Sequence, residues 1–199
     1  MGILFAIPGA ILAVFAHEYA KSLTAYGMGD KNIRVQGRLT INPFKHMDIL
    51  GFIFMAVFRF GWGNPAKINF FAFADKRKAV AIIFAVPFLV NIILGVVLMV
   101  AARIWTVNMD FTNETHLNIL GVLVTAAHIN VGHALINLLP IHPMSGTMLL
   151  TSVSPIASLK VAQYEKILQL VLALFILLGG AQMTFGALSN VFLQGIFVG

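Results

Sequence analysis

Four apolar runs, at residues 3–26, 79–102, 117–139 and 164–188, constrain this chain more than any other feature. About 20 consecutive apolar residues in a helix span the roughly 30 Å hydrocarbon core of a bilayer, so each run is long enough to cross. Composition agrees: 59% of the 199 residues are hydrophobic and 10% are charged, where soluble domains hold roughly 45–50% and 25%. The expectation is one α-helical polytopic membrane domain over residues 1–199, with four to five membrane segments. Its core covers residues 3–153, and a C-terminal membrane helix covers 164–188. No length remains for a second, soluble domain.

The absence of cysteine removes disulfides, iron–sulfur clusters and thiolate zinc sites together, so a metal would need His, Asp or Glu ligands. The net charge is +6, and its placement tells more than its size. Every Lys and Arg except Arg103 falls between Lys21 and Lys78 or at Lys160 and Lys166. The positive-inside rule puts those two regions on the cytoplasmic side and the weakly charged connection at 105–116 outside. The cations follow membrane topology and form no solvated basic face, which argues against nucleic acid as a partner. Met1-Gly2-Ile3-Leu4 has no basic n-region and leads straight into the first run, which reads as a retained segment. The expected location is a multi-pass position in a bacterial-type cytoplasmic membrane.

Between the first two runs the pattern changes. Gly27 and Gly29 end the first helix. Ile33, Val35, Leu39 and Ile41 then alternate with Arg34, Gln36, Arg38 and Thr40, and this period of two predicts a strand over residues 33–41, closed by Pro43. Residues 49–60 are apolar but too short to cross, and Gly61-Trp62-Gly63-Asn64-Pro65 is turn material. A re-entrant or tilted hairpin is therefore expected, since irregular backbone at membrane depth must lie against protein or water. Residues 66–73 offer a second strand, which would complete a small membrane-associated β-hairpin.

Ionisable residues inside apolar runs are costly and so point to function. His17 and Lys21 lie four residues apart on one helical face, with Glu18 beside His17. A His at each end of that step with a Glu between is how zinc proteases place two imidazoles on a metal and a general base on its water. Here the second position is Lys, so Glu18 can instead pair with Lys21 at a helical spacing of three, neutralising both charges. His46, His128, His133 and His142 could replace a ligand, although a single membrane His usually hydrogen-bonds to a neighbouring helix. His128 and His133 are five apart, which does not make a pair on one face.

These motifs carry a family resemblance. His17-Glu18-Tyr19-Ala20-Lys21 resembles the His-Glu-x-x-His helix of the site-2 protease family of intramembrane zinc metalloproteases, with Lys21 at the last ligand position. Gly37-Arg38-Leu39-Thr40-Ile41-Asn42-Pro43, His46, Asp48 and Phe60-Gly61-Trp62 are similar to the segments that follow in compact bacterial members. The run from Asn137 through Pro140 to Ser145-Gly146 resembles the Asn-x-x-Pro-x-x-x-Leu-Asp-Gly motif, with Ser145 where the family has its third ligand. The segment from Val86-Pro87 to Asn91 resembles Gly-Pro-x-x-Asn, but the Gly is missing and the Asn falls one residue late. The resemblance implies a site in which His17 and the positions of Lys21 and Ser145 surround one zinc, with Glu18 as general base. Asn91 and Asn137 would meet substrate, and the edge carrying Ile33, Val35, Leu39 and Ile41 would pair with an unwound substrate helix by β-augmentation.

A protonated lysine has no lone pair for zinc, and serine is a poor neutral ligand beside a carboxylate. Of three expected ligands only His17 remains, whereas a catalytic zinc takes three and an open position. The sequence therefore predicts a pseudoprotease without bound metal, which binds a transmembrane client within the lipid bilayer or serves as a subunit of a membrane complex. Two other functions compete: an active zinc endopeptidase with His142 or His46 as substitute ligand, and a transporter or channel subunit with Glu18, Lys21 and the histidines along a polar path.

Overall fold

A computed structural model describes residues 2–58, 61–107, 109–142 and 144–180, with the separate positions 183, 186, 187 and 191. Phe60, and residues 181, 182, 184, 185 and 188 of the predicted 164–188 helix, lie outside the described residues.

Three helices are long and apolar enough to cross a membrane. They are α1 (Gly2–Gly27), α4 (Lys76–Val107) and α5 (Glu114–Asn137). Between α1 and α4 lie the short α2 (Asn32–Val35) and α3 (Ile49–Phe58), and after α5 come α6 (Ser145–Val153), α7 (Pro155–Ala162) and α8 (Glu165–Leu177). The protein is a helical membrane protein. Four to five segments were expected, but among the described residues only α1, α4 and α5 meet the length and hydropathy of a span. Helix α8 runs from Glu165 to Leu177, and Gly179 after it takes a positive φ of 80°.

The bundle is apolar outside and small or polar inside, as lipid requires, because hydrocarbon supplies no hydrophobic force between helices. On α4, Leu89, Ile93, Val97 and Ile104 face outward, while Ile83, Pro87, Asn91 and Gly95 are buried. On α1, Ala6, Ala10 and Ala13 are fully buried. Helix α1 runs beside α5 so closely that a Cβ on Gly9 would stand 2.6 Å from the Ala126 Cα. Against α4, a Cβ on Gly95 would meet Val131 of α5 at 2.5 Å. Gly9 meets Ala126 while His17 lies beside His133, so α1 and α5 are parallel. Asn91 meets Ala13 while Phe84 lies beside Lys21, so α4 is antiparallel to α1.

The predicted strand is not formed. Its first residues make α2, Gly37 at φ 67° turns the chain, and no sheet exists among the described residues; a single bridge joins Met47 to Gly63. Side chains take the place of a ladder. Asp30 accepts from the backbone N–H groups of Asn32 and Asn69, at 3.1 and 2.7 Å. Gln36 mimics a peptide, donating to the Lys67 carbonyl at 2.7 Å and accepting from the Lys67 N–H at 2.9 Å. Arg38 donates to the carbonyls of Lys45 and Asn64. The expected second strand, 66–73, is extended coil with a 3-10 turn at Phe70–Ala72, started by the Asn69 side chain accepting from Phe71 N–H. Residues 61–64 do fold back on α3: a Cβ on Gly61 would collide with the Gly51 carbonyl, and one on Gly51 with the Trp62 carbonyl.

Candidate functional site

The polar residues of α1 meet those of α4, α5 and α6 at one point inside the bundle. His17 and Ser145, 128 residues apart, are 1% and 2% exposed. The His17 Nε2 lies 3.0 Å from Ser145 Oγ, and its Nδ1 lies 3.2 Å from Asn91 Oδ1. Asn91 also donates through Nδ2 to the Ala13 carbonyl at 3.0 Å and to Asn130 Oδ1 at 3.2 Å. Asn130 in turn donates to the Ala126 carbonyl at 2.8 Å. The His133 ring packs edge-on against His17 with centroids 5.0 Å apart, and Asn137 donates to the His133 carbonyl at 2.9 Å.

Sequence position and local geometry explain the convergence. Ser145 is the first residue of α6, and just before it the Met144 N–H bonds the Ile141 carbonyl. Gly146 is required there, because a Cβ would lie 2.2 Å from the Leu138 carbonyl oxygen. Pro143 of the quoted motif lies outside the described residues.

Glu18 and Lys21 sit beside this cluster as a buried ion pair, Lys21 Nζ donating to Glu18 Oε1 at 2.8 Å. Lys21 also lies 5.6 Å from the centre of the Phe84 ring, a cation–π distance. The second carboxylate oxygen, Glu18 Oε2, is buried with no partner among the described residues.

The remaining predicted residues take different places, some in this cluster and some outside it. His46 is fully buried, donating through Nε2 to the Thr40 carbonyl at 2.9 Å and packing against the Phe15 and Tyr19 rings, while its Nδ1 is buried with no partner among the described residues. Burial moves its pKa below the ordinary imidazole value. His142 is exposed, and its backbone carbonyl accepts from Gln169. Of the substrate edge, Ile33 is buried in the core, Leu39 packs against it, and Val35 and Ile41 are 84% and 80% exposed, so these four share no edge. Asn91 and Asn137 are buried and bonded to protein. Sequence reasoning missed Asn130 altogether and treated His133 only as a spare ligand. A lone Asn in an apolar helix signals a polar partner but does not say which.

The residues present do not fit a catalytic zinc. Both His17 nitrogens are engaged with Asn91 and Ser145, Lys21 is tied to Glu18, and Ser145 offers only a hydroxyl. Among the described residues no group of three His, Asp or Glu side chains is arranged around a metal position. The arrangement can relay hydrogen bonds and hold one compensated charge pair at membrane depth.

No family model matches the chain, and no solved structure matches it significantly. Among curated proteins it is similar to "Putative zinc metalloprotease YwhC" of Bacillus subtilis (strain 168), with 32% identity over 149 residues, covering 73% of this chain and 67% of that protein. At that identity and coverage, the chain belongs to the zinc-metalloprotease-like family that this relative represents.

Proposed function

We propose that the chain is a site-2-protease-like pseudoprotease: a membrane protein that keeps the family's core but does no zinc-dependent cleavage, and instead engages a transmembrane client or a larger membrane complex. One observation carries this reading. The His17 imidazole, which would be the retained ligand, spends both nitrogens on Asn91 and Ser145, while Lys21 supplies beside Glu18 the positive charge a metal would bring. The bacterial relative and the cation distribution favour a cytoplasmic membrane.

The competing reading, an active zinc endopeptidase, draws on the relative's description and on His133 beside His17. Elemental analysis of the purified protein separates the two. The pseudoprotease reading expects well under one zinc per chain and no cleavage of a model transmembrane helix; one zinc per chain with chelator-sensitive cleavage overturns it. Lys21→His with Ser145→Asp restores both ligand types at positions already in contact with the site. That double variant is expected to take up zinc that the parent does not.

A further inference from the structure

A cavity lies at the far end of the bundle from the His17 cluster, roughly 20 Å along α4 from Asn91 at 1.5 Å per residue. Its volume is about 450 Å³, and Ala101, Ile104, Trp105, Met109 and His116 line it, a size typical of small-molecule sites. The walls come from the last turns of α4, the connection after it and the first turn of α5. The cavity therefore sits where two apolar helices leave hydrocarbon for water. Ile104 lines it and is itself 66% exposed, so it opens on the outer surface of the bundle and not into the core. Hydrogen bonds fix what its polar groups can offer. The Trp105 indole N–H is committed to the His116 carbonyl at 3.2 Å, with the two rings edge to face. His116 Nδ1 accepts from the Asp110 N–H at 3.1 Å. A nitrogen that accepts carries no hydrogen, so the neutral ring bears its hydrogen on Nε2, which has no partner among the described residues. Asp110 accepts from Thr112 through Oδ1 alone, which leaves Oδ2 as an acceptor on the exposed rim.

We propose that this cavity binds one zwitterionic glycerophospholipid, with an acyl chain against Ala101, Ile104, Trp105 and Met109, the phosphate on His116 Nε2–H and the ammonium on Asp110. The order of the contacts matches the order of groups in a bilayer. Apolar side chains belong to the membrane length of α4, Trp105 stands at the depth where tryptophans gather, and Asp110 lies beyond it in the connection. An acyl chain is required because Ala101, Ile104 and Met109 offer only apolar surface and the Trp105 N–H is already spent; a free phosphate would leave those walls unfilled. Charge decides the headgroup. Among the described residues, the exposed side chains around the rim include two carboxylates, Asp110 and Glu114, against one cation, Arg103. An anionic headgroup would meet repulsion there, whereas an ammonium finds a carboxylate beside the donor that holds its phosphate.

The full chain in a delipidating detergent is titrated with dioleoyl phosphatidylethanolamine and, separately, with dioleoyl phosphatidylglycerol, and bound lipids are counted by native mass spectrometry. One retained phosphatidylethanolamine per chain is expected, held about three- to fivefold tighter than phosphatidylglycerol, the range of one exposed ion pair. Asp110→Asn keeps the backbone N–H on His116 and should bring the two lipids to equal affinity while one is still bound. Ala101→Phe fills the cavity and should lose the retained lipid at an unchanged melting temperature. Should Ala101→Phe not fold, fluorescence of Trp105 reads the same site in Trp62→Phe, where it is the one tryptophan left. Phosphatidylethanolamine brominated on its acyl chains is expected to quench it and to saturate at one lipid per chain. No retained lipid, equal or tighter binding of phosphatidylglycerol by the parent, full binding by folded Ala101→Phe, or unquenched Trp105 overturns the proposal.

Discussion

Glu18 and Lys21 show how one substitution reshapes a membrane site. Each is 5% exposed, so neither charge is relieved by water, and removing one partner of a buried pair leaves an uncompensated ion costing about 3–5 kcal/mol. The partners are not equivalent. Lys21 also faces the Phe84 ring, whereas Glu18 has an oxygen with no partner among the described residues. Lys21→Ala should therefore destabilise more than Glu18→Gln, and Glu18→Gln added to Lys21→Ala should recover much of the loss. Thermal melts of the three variants in one detergent check this; equal losses in the singles, or no recovery in the double, would show that the pair does not control stability. His17, Glu18, Lys21 and Ser145 could be singled out in the sequence because they resemble the motifs of a known family, and the structure places His17 3.0 Å from Ser145 and Lys21 2.8 Å from Glu18. Asn130 could not, because an isolated amide acquires meaning only from the helix packed against it.

At the scale of elements, legibility followed how strongly lipid dictates structure. Helices α1, α4 and α5 were readable because long apolar runs have few alternatives in a bilayer. Residues 33–41 misled because alternation of apolar and polar residues also arises in a turn whose polar side chains bond neighbouring backbone, as Gln36 and Arg38 do. The close contact of α1 with α5 yields a prediction: Gly9→Ala inserts a methyl 2.6 Å from the backbone of Ala126. Overpacking of this kind costs about 1–3 kcal/mol, and a melt of the variant reads it; an unchanged melt would mean the helices separate without penalty. The loop that replaces the strand is expected to respond to pH through His46. Its folded pKa is lowered, first by burial, so at pH above about 6.5 the imidazole is neutral in both folded and unfolded chains. Below that value the unfolded chain takes up a proton that the folded loop resists. Stability is thus present above about pH 6.5 and falls as pH drops toward the folded pKa. His46→Gln should flatten that slope in melts between about pH 7 and pH 5, and an unaltered slope would assign it to other groups.

For the whole molecule, helix direction and charge make the same topological argument. Helix α1 ends near Lys31, antiparallel α4 begins at Lys76-Arg77-Lys78, and α5 runs parallel to α1 toward α6 and α7, where Lys160 sits. Arg77 ties two of these regions together, donating to the Ser152 and Val153 carbonyls at the end of α6. The opposite end holds the 108–113 connection, where the Trp105 indole donates to the His116 carbonyl and exposed Asp110 accepts from Thr112, which lowers its pKa and keeps it charged. If the apolar lengths of α1, α4 and α5 lie across one bilayer, the cationic end faces the cytoplasm by the positive-inside rule. Because the chain contains no cysteine, Lys31→Cys, Asp110→Cys and Lys160→Cys each report one position without a background. A membrane-impermeant maleimide applied to intact cells should label only position 110, and all three after lysis. Labelling of positions 31 and 110 from the same side would mean that α1 and α4 do not cross as an antiparallel pair, and would remove the bilayer from around the His17 site.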